Sequence, residues 1–81
     1  MLLPISAVII TVNQEKKIAK TIEALKTLTD DIVVVDSGST DLTRKVARAA
    51  GANVLEHAWA GYSAQKNFGN AWAKYDWILS V

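Results

Sequence analysis

The chain has 81 residues, nine Lys and Arg against eight Asp and Glu, a net charge of +1 and an apolar fraction of 51%. That length supports one small domain, burying only roughly 60–65% of its unfolded surface, and a near-neutral charge without a basic block gives no electrostatic argument for nucleic acid. No cysteine is present, which excludes disulfides, thiolate metal sites and cysteine nucleophiles and agrees with a reducing compartment.

Met1-Leu2-Leu3 runs into Pro4 with no charged segment before it and no cleavage site after it, so it does not read as a signal peptide. No apolar run approaches the ~20 residues of a membrane-spanning helix. The expectation is a cytoplasmic chain, soluble or at most peripheral at the inner membrane.

Ile5 to Val12 is rich in β-branched residues and predicts the first strand. Asn13 suits the N-cap of a helix, with Glu15 in its first turn. Ile18, Ile22, Leu25 and Leu28 then form one apolar helical stripe. Thr29-Asp30-Asp31 breaks it. Ile32 to Val35 is a continuous apolar run ending on Asp36, which predicts a strand buried on both faces, of the kind found in helix-covered parallel sheets.

Ser39 or Thr40 can cap the next helix, with Asp41 at its start and Leu42, Val46 and Ala49 on its buried face. Gly51 falls where a left-handed residue ends a helix. A short strand at 53–56, a loop at 57–61, a helix from Tyr62 to about Ala73 and a strand at Trp77–Val81 complete the order βαβαβαβ. Such alternation predicts an α/β fold: a mostly parallel sheet, right-handed crossovers and helices on both faces, a three-layer Rossmann-like arrangement. A buried strand that finishes at Val81 suggests the first half of a larger domain.

In such a sheet Asp36 stands at the carboxyl edge, where open α/β sheets bind ligands. Two roles are open to it and can coexist: a turn acid bonding the amides of Ser37, Gly38 or Ser39, or a contact to the hydroxyls or base of a nucleotide. Thr11, Asn13 and Glu15 follow the first strand on the same edge, either as helix-capping residues or as a polar rim around one ligand. That junction contains no glycine, which argues against a dinucleotide fingerprint and against a Walker-type phosphate loop.

Asp36 and Asp41 do not read as an acid/base pair, and Asp41 is better explained as a helix-start acid. Ser37-Gly38-Ser39 is not a nucleophile elbow. The single histidine, His57, reads as a loop or packing residue. Lys66 and Asn67 lie in the third helix, where a lysine is either solvated or paired with a diphosphate. Tyr62, Phe68, Trp72 and Trp77 read as core packing rather than carbohydrate stacking.

Together these blocks resemble the N-terminal part of a family-2 glycosyltransferase of the GT-A fold. ISAVIITVNQEKKI is similar to its first strand and loop, with Thr11, Asn13 and Glu15 on a recurrent Thr-x-Asn-x-Glu pattern. IVVVDSGSTD is similar to its second block, with Asp36 on the acid that meets the donor base or ribose and Asp41 on the acid that closes the motif. GYSAQKNFGNAWAKYDWILSV is similar to its third helix and fourth strand, with Lys66 near the basic residue beside the donor; that position is often arginine, whose bidentate grip a lysine does not copy. The spelling DSGSTD with EHAWAGYSAQKN is closest to the bacterial branch that adds sugars to the lipopolysaccharide core in a β linkage.

The resemblance implies a donor site built from Thr11, Asn13, Glu15, Asp36 and Lys66, a nucleotide-sugar donor (a UDP-sugar above all), and a glycan or lipid-linked acceptor. It also implies inversion by direct displacement and a divalent cation, Mg2+ or Mn2+, on a DxD-type acid pair. That pair and the catalytic base are expected beyond Val81, leaving the 81 residues with weak nucleotide binding and little or no turnover. Open sheet edges are expected to favour a homodimer. The competing reading is a non-enzymatic Rossmann-like nucleotide-binding or interaction module.

Overall fold

The computed structural model describes residues 2–81; Met1, the first residue of the apolar opening, lies outside the described residues. Strands β1 (Ile5–Thr11), β2 (Asp31–Asp36), β3 (Asn53–Glu56) and β4 (Trp77–Ser80) alternate with helices α1 (Ile18–Leu25), α2 (Thr43–Ala49) and α3 (Tyr62–Ala71). The sheet order is β3-β2-β1-β4 and each neighbouring pair is parallel. Thr11 pairs with Asp36 and Asp36 with Glu56, so three strand ends share one edge. The expected α/β architecture is present.

Two apolar layers hold it together. Ala7, Ile9, Ile32 and Val34 meet Ile18, Ile22 and Leu25 of α1 and Ala47 of α2 on one face. Val8, Val33 and Val35 meet Phe68 of α3 and Ile78 of β4 on the other. The alternation along β1 and β2 therefore feeds both faces, which is why neither strand shows a polar side. The helix α3 reaches its face by giving up a side chain. A Cβ at Gly69 falls 2.5 Å from Val8 Cγ1 and 2.9 Å from Val35 Cγ2. At the amino edge, Ser6 Oγ donates to Asp31 Oδ2 (2.5 Å), which also accepts the Lys74 amide (2.7 Å). This guides the chain into β4.

Several local expectations are corrected. Asn13 is not a helix cap: its φ is +49°, and α1 begins later because the Lys17 and Ile18 amides both donate to the Gln14 carbonyl (3.0 and 2.9 Å). Glu15 consequently precedes the helix, and Leu28 lies past its end, exposed. The buried face of α2 is Thr43 and Ala47, continued by Ala50, with Val46 partly buried against the same core as expected, whereas Leu42 and Ala49 are exposed. Ser39 and Thr40 do not cap α2; their side chains bond Asp36 and Asn13 instead. Of the four aromatics assigned to the core, Phe68 packs there, whereas Tyr62, Trp72 and Trp77 are exposed.

Gly51 does end α2 in a left-handed conformation (φ +103°), with the Gly51 amide donating to Arg48 O (3.0 Å) and the Ala52 amide to Ala47 O (3.1 Å). That is a Schellman termination.

Candidate functional site

The chain leaves β1 for β2 and β3 on one side, then returns to place β4 on the other side of β1. The strand order therefore reverses between β1 and β4, and a crevice opens outside the carboxyl ends of the strands at such a switch point. A cleft of about 610 Å³ occupies it, with Thr11, Val12, Gln14, Lys17, Ser37 and Trp59 among its lining residues.

Thr11 is 4% exposed, and its Oγ1 is the one buried side-chain polar atom without a hydrogen-bond partner among the described residues. Burying a hydroxyl unpaired costs about 1–3 kcal/mol on protein scales. The wall it belongs to is otherwise mainly apolar.

The loops after β1 and β2 are tied to each other. The Asn13 amide donates to Ser39 Oγ (2.8 Å), and Asn13 Oδ1 accepts the Thr40 amide (2.9 Å). The Gln14 amide donates to Thr43 Oγ1 (2.8 Å), and the Glu15 amide to Asp41 Oδ2 (3.3 Å). Ser37 donates through both its amide and its hydroxyl to the Thr11 carbonyl (3.0 and 3.3 Å). The positive φ of Asn13 turns its side chain toward the second loop, and the positive φ of Gly38 (+110°) turns that loop back. Only residues tolerant of φ > 0 fit both positions.

Beneath this lattice lies Asp36, fully buried. Its Oδ2 accepts the amides of Gly38 (3.1 Å) and Ser39 (2.8 Å), and its Oδ1 accepts the Ser39 hydroxyl. Arg44 Nη1 donates to Asp36 Oδ2 (3.3 Å) and to Glu56 Oε1 (3.0 Å). The turn-acid role is thus filled, both carboxylate oxygens being engaged.

The structure brings Thr11, Asn13, Glu15 and Asp36 into one region. Thr11 lines the main cleft; Asn13 and Glu15 line, with Asp41, an adjoining hollow of about 240 Å³. Lys66 stands apart on α3, its Nζ 5.5 Å from the Tyr62 ring centre, where burial pushes its pKa down. It lines neither hollow. His57 keeps a packing role: its ring lies 4.2 Å from Phe68, and its carbonyl accepts from Gln65 Nε2 (3.0 Å).

Ser37, Lys17 and Trp59 were not singled out by sequence. Ser37 stands beside the more conspicuous Asp36, Lys17 lies in an unrecognised turn, and Trp59 reaches the cleft only through the strand order. No three His, Asp or Glu side chains gather among the described residues. No helix among them is long and apolar enough to cross a membrane.

Asp41 gives the loop lattice a pH signature. The Thr43 hydroxyl, followed by the amides of Thr43 and Glu15, holds its carboxyl below the ordinary value of 3.8. A depressed folded pKa means that Asp41 contributes stability above about 3.8 and loses it as pH falls through the lower folded value. Asp41→Asn is expected to lower the urea midpoint at neutral pH, with the gap to the parent closing in acid. A gap unchanged at acid pH removes Asp41 from the lattice.

Comparisons with known proteins converge. The Glycosyl transferase family 2 profile matches residues 6–81. An uncharacterized glycosyltransferase of Rickettsia typhi is 43% identical over 77 residues, covering 95% of this chain and 26% of that protein. The lipopolysaccharide core biosynthesis glycosyltransferase LpsC of Rhizobium meliloti is 37% identical over 84 residues, covering 98% of this chain and 31% of that protein. The crystal structure of glucosyl-3-phosphoglycerate synthase from Mycobacterium tuberculosis with Mn2+, uridine-diphosphate-glucose and phosphoglyceric acid matches with a TM-score of 0.83. Its identity is 28%, over 95% of this chain and 32% of that one. The same synthase is also known with Mg2+ and uridine-diphosphate. This chain spans about a quarter of the length of the first curated relatives, 26% in the Rickettsia typhi case.

Proposed function

We propose, because this chain belongs to Glycosyl transferase family 2, that its switch-point cleft is the nucleotide cradle of an inverting glycosyltransferase using a UDP-sugar. The acceptor is a glycan or lipid-linked glycan of the bacterial surface, and lipopolysaccharide-core assembly at the cytoplasmic side of the inner membrane is the favoured setting. The name of the LpsC relative supports that setting, and the uridine-diphosphate-glucose in the mycobacterial synthase supports the donor class.

The single observation that carries the reading is Thr11 on the wall of a mainly apolar cleft at the sheet's carboxyl edge, its buried hydroxyl without a protein partner. Transfer requires an acceptor oxygen to displace a nucleoside diphosphate from the anomeric carbon. This chain's own residues bind and orient the nucleoside end. Thr11 supplies a hydrogen bond from the floor and Ser37 another from the rim. Asn13, Glu15 and Asp41 keep the two loops in register, with Asp36 fixing the second loop from beneath. Lys66, on α3, is not part of the cleft wall.

The test is titration of the chain with UDP while following backbone amides. Shifts are expected at Thr11, Val12 and Ser37, and silence at millimolar UDP overturns the reading. Thr11→Val separates binding from stability. Removing an unsatisfied hydroxyl at nearly constant shape is expected to stabilise the free chain by about 1 kcal/mol while weakening UDP several-fold. Unchanged UDP affinity in that variant would remove Thr11 from the cradle.

A further inference from the structure

Between β3 and α3 the chain has only residues 57–61 in which to leave the edge strand and start the helix that crosses toward β4. Because the order is β3-β2-β1-β4, this connection passes over the carboxyl ends of β2 and β1. It is anchored at both ends. The His57 amide donates to the Asp36 carbonyl (3.0 Å), and the Gly61 carbonyl accepts the Gln65 amide (3.1 Å). At its centre, between Ala58 and Ala60, stands Trp59, which lines the cleft yet remains 58% exposed.

We propose that Trp59 is the stacking platform for the nucleobase of the donor, an inference that rests on the cradle reading above. An indole held half-bare on a tethered loop presents a flat face to a cleft whose wall includes Thr11, with its buried, unpartnered hydroxyl. A planar heterocycle satisfies both features at once. Its face covers the indole, and its polar edge meets Thr11 Oγ1, with Ser37 at the rim. A sugar ring offers CH faces to an aromatic but no flat polar edge to carry into the depth of the cleft. Aromatic platforms hold bases through the π-face, so stacking strength rather than a hydrogen-bond code sets this contribution.

The Trp72→Phe/Trp77→Phe chain leaves Trp59 as its sole tryptophan, and both replaced residues are exposed. Its emission is expected to be quenched saturably by UDP and by uridine, on the same binding curve as the Thr11 amide, and to ignore ribose 5-phosphate. Trp59→Ala is expected to weaken UDP roughly tenfold, with Trp59→Phe recovering most of the affinity. Amide shifts at Thr11 with unmoved Trp59 emission, and full affinity in Trp59→Ala, overturn the platform and leave the cradle standing. Quenching by UDP-glucose but not by UDP or uridine moves the platform to the sugar and overturns the base assignment. Absence of both shifts and quenching overturns platform and cradle together.

Discussion

Asp36→Ala is expected to destabilise the chain by about 2–4 kcal/mol and to abolish UDP-induced shifts at Ser37. The carboxylate is wholly buried and accepts two amides, one hydroxyl and Arg44 Nη1. Truncation leaves the Gly38 and Ser39 amides unpaired in a dry place, each costing about 1–3 kcal/mol, and these losses overlap rather than add. A chain of this size is stable by only about 4–12 kcal/mol, so the variant forfeits a large share.

Asp36→Asn keeps the shape and one acceptor and is expected to lose about half as much. Arg44→Met is expected to cost less again, about 1 kcal/mol, because its guanidinium is partly exposed and the three other bonds to Asp36 survive. Urea unfolding ranks the three. Hydrogen exchange at Gly38, Ser39 and Thr40 locates the loosening. An Asp36→Ala chain within 0.5 kcal/mol of the parent, as ordinary surface substitutions are, would mean that the loop does not depend on its acid.

Asp36 also shows what a sequence can and cannot disclose. Its position at a strand end is legible because Ile32 to Val35 leaves no polar face, a pattern only a doubly covered strand tolerates. The glycine two residues on makes the turn legible as well, as does Gly51 at the end of α2. What the carboxylate bonds to is a matter of the third dimension. Arg44 reaches it because α2 presents Thr43 and Ala47 to the sheet, and that face is set by how closely small residues let the helix approach.

Asn13 illustrates the converse. Its type suits a helix cap, yet partners in the second loop draw it into φ +49°, so tertiary bonding overrides a local preference. Trp59 enters the site only through strand order, which no periodicity encodes. Tyr62 and Trp72 look like core by type alone, but the α3 face against the sheet belongs to Gln65, Phe68 and Gly69, and Trp77 lies exposed on the edge strand β4.

Gly69→Ala is expected to destabilise the chain by about 1–3 kcal/mol, even though alanine is the better helix former by about 1 kcal/mol. The new methyl falls within 3.0 Å of two valine methyls on adjacent strands, Val8 Cγ1 and Val35 Cγ2. Both valines are fully buried, and β-branching leaves them few rotamers in which to yield. Relief therefore requires α3 to lift from the sheet. For a domain of this size each lost kcal/mol lowers Tm by about 4–8 °C, so calorimetry resolves the effect easily.

The lift has a second consequence, because Gln65 on the same helix face holds the His57 carbonyl and with it the loop that carries Trp59. Helix seating and cleft geometry are coupled through that one side chain. Val8→Ala in the Gly69→Ala background restores room beneath the helix and is expected to recover part of the loss. The double variant then falls short of the sum of the two single costs. Full additivity, or a Gly69→Ala chain as stable as the parent, would show that α3 does not rest on Val8 and Val35 as closely as the backbone places it.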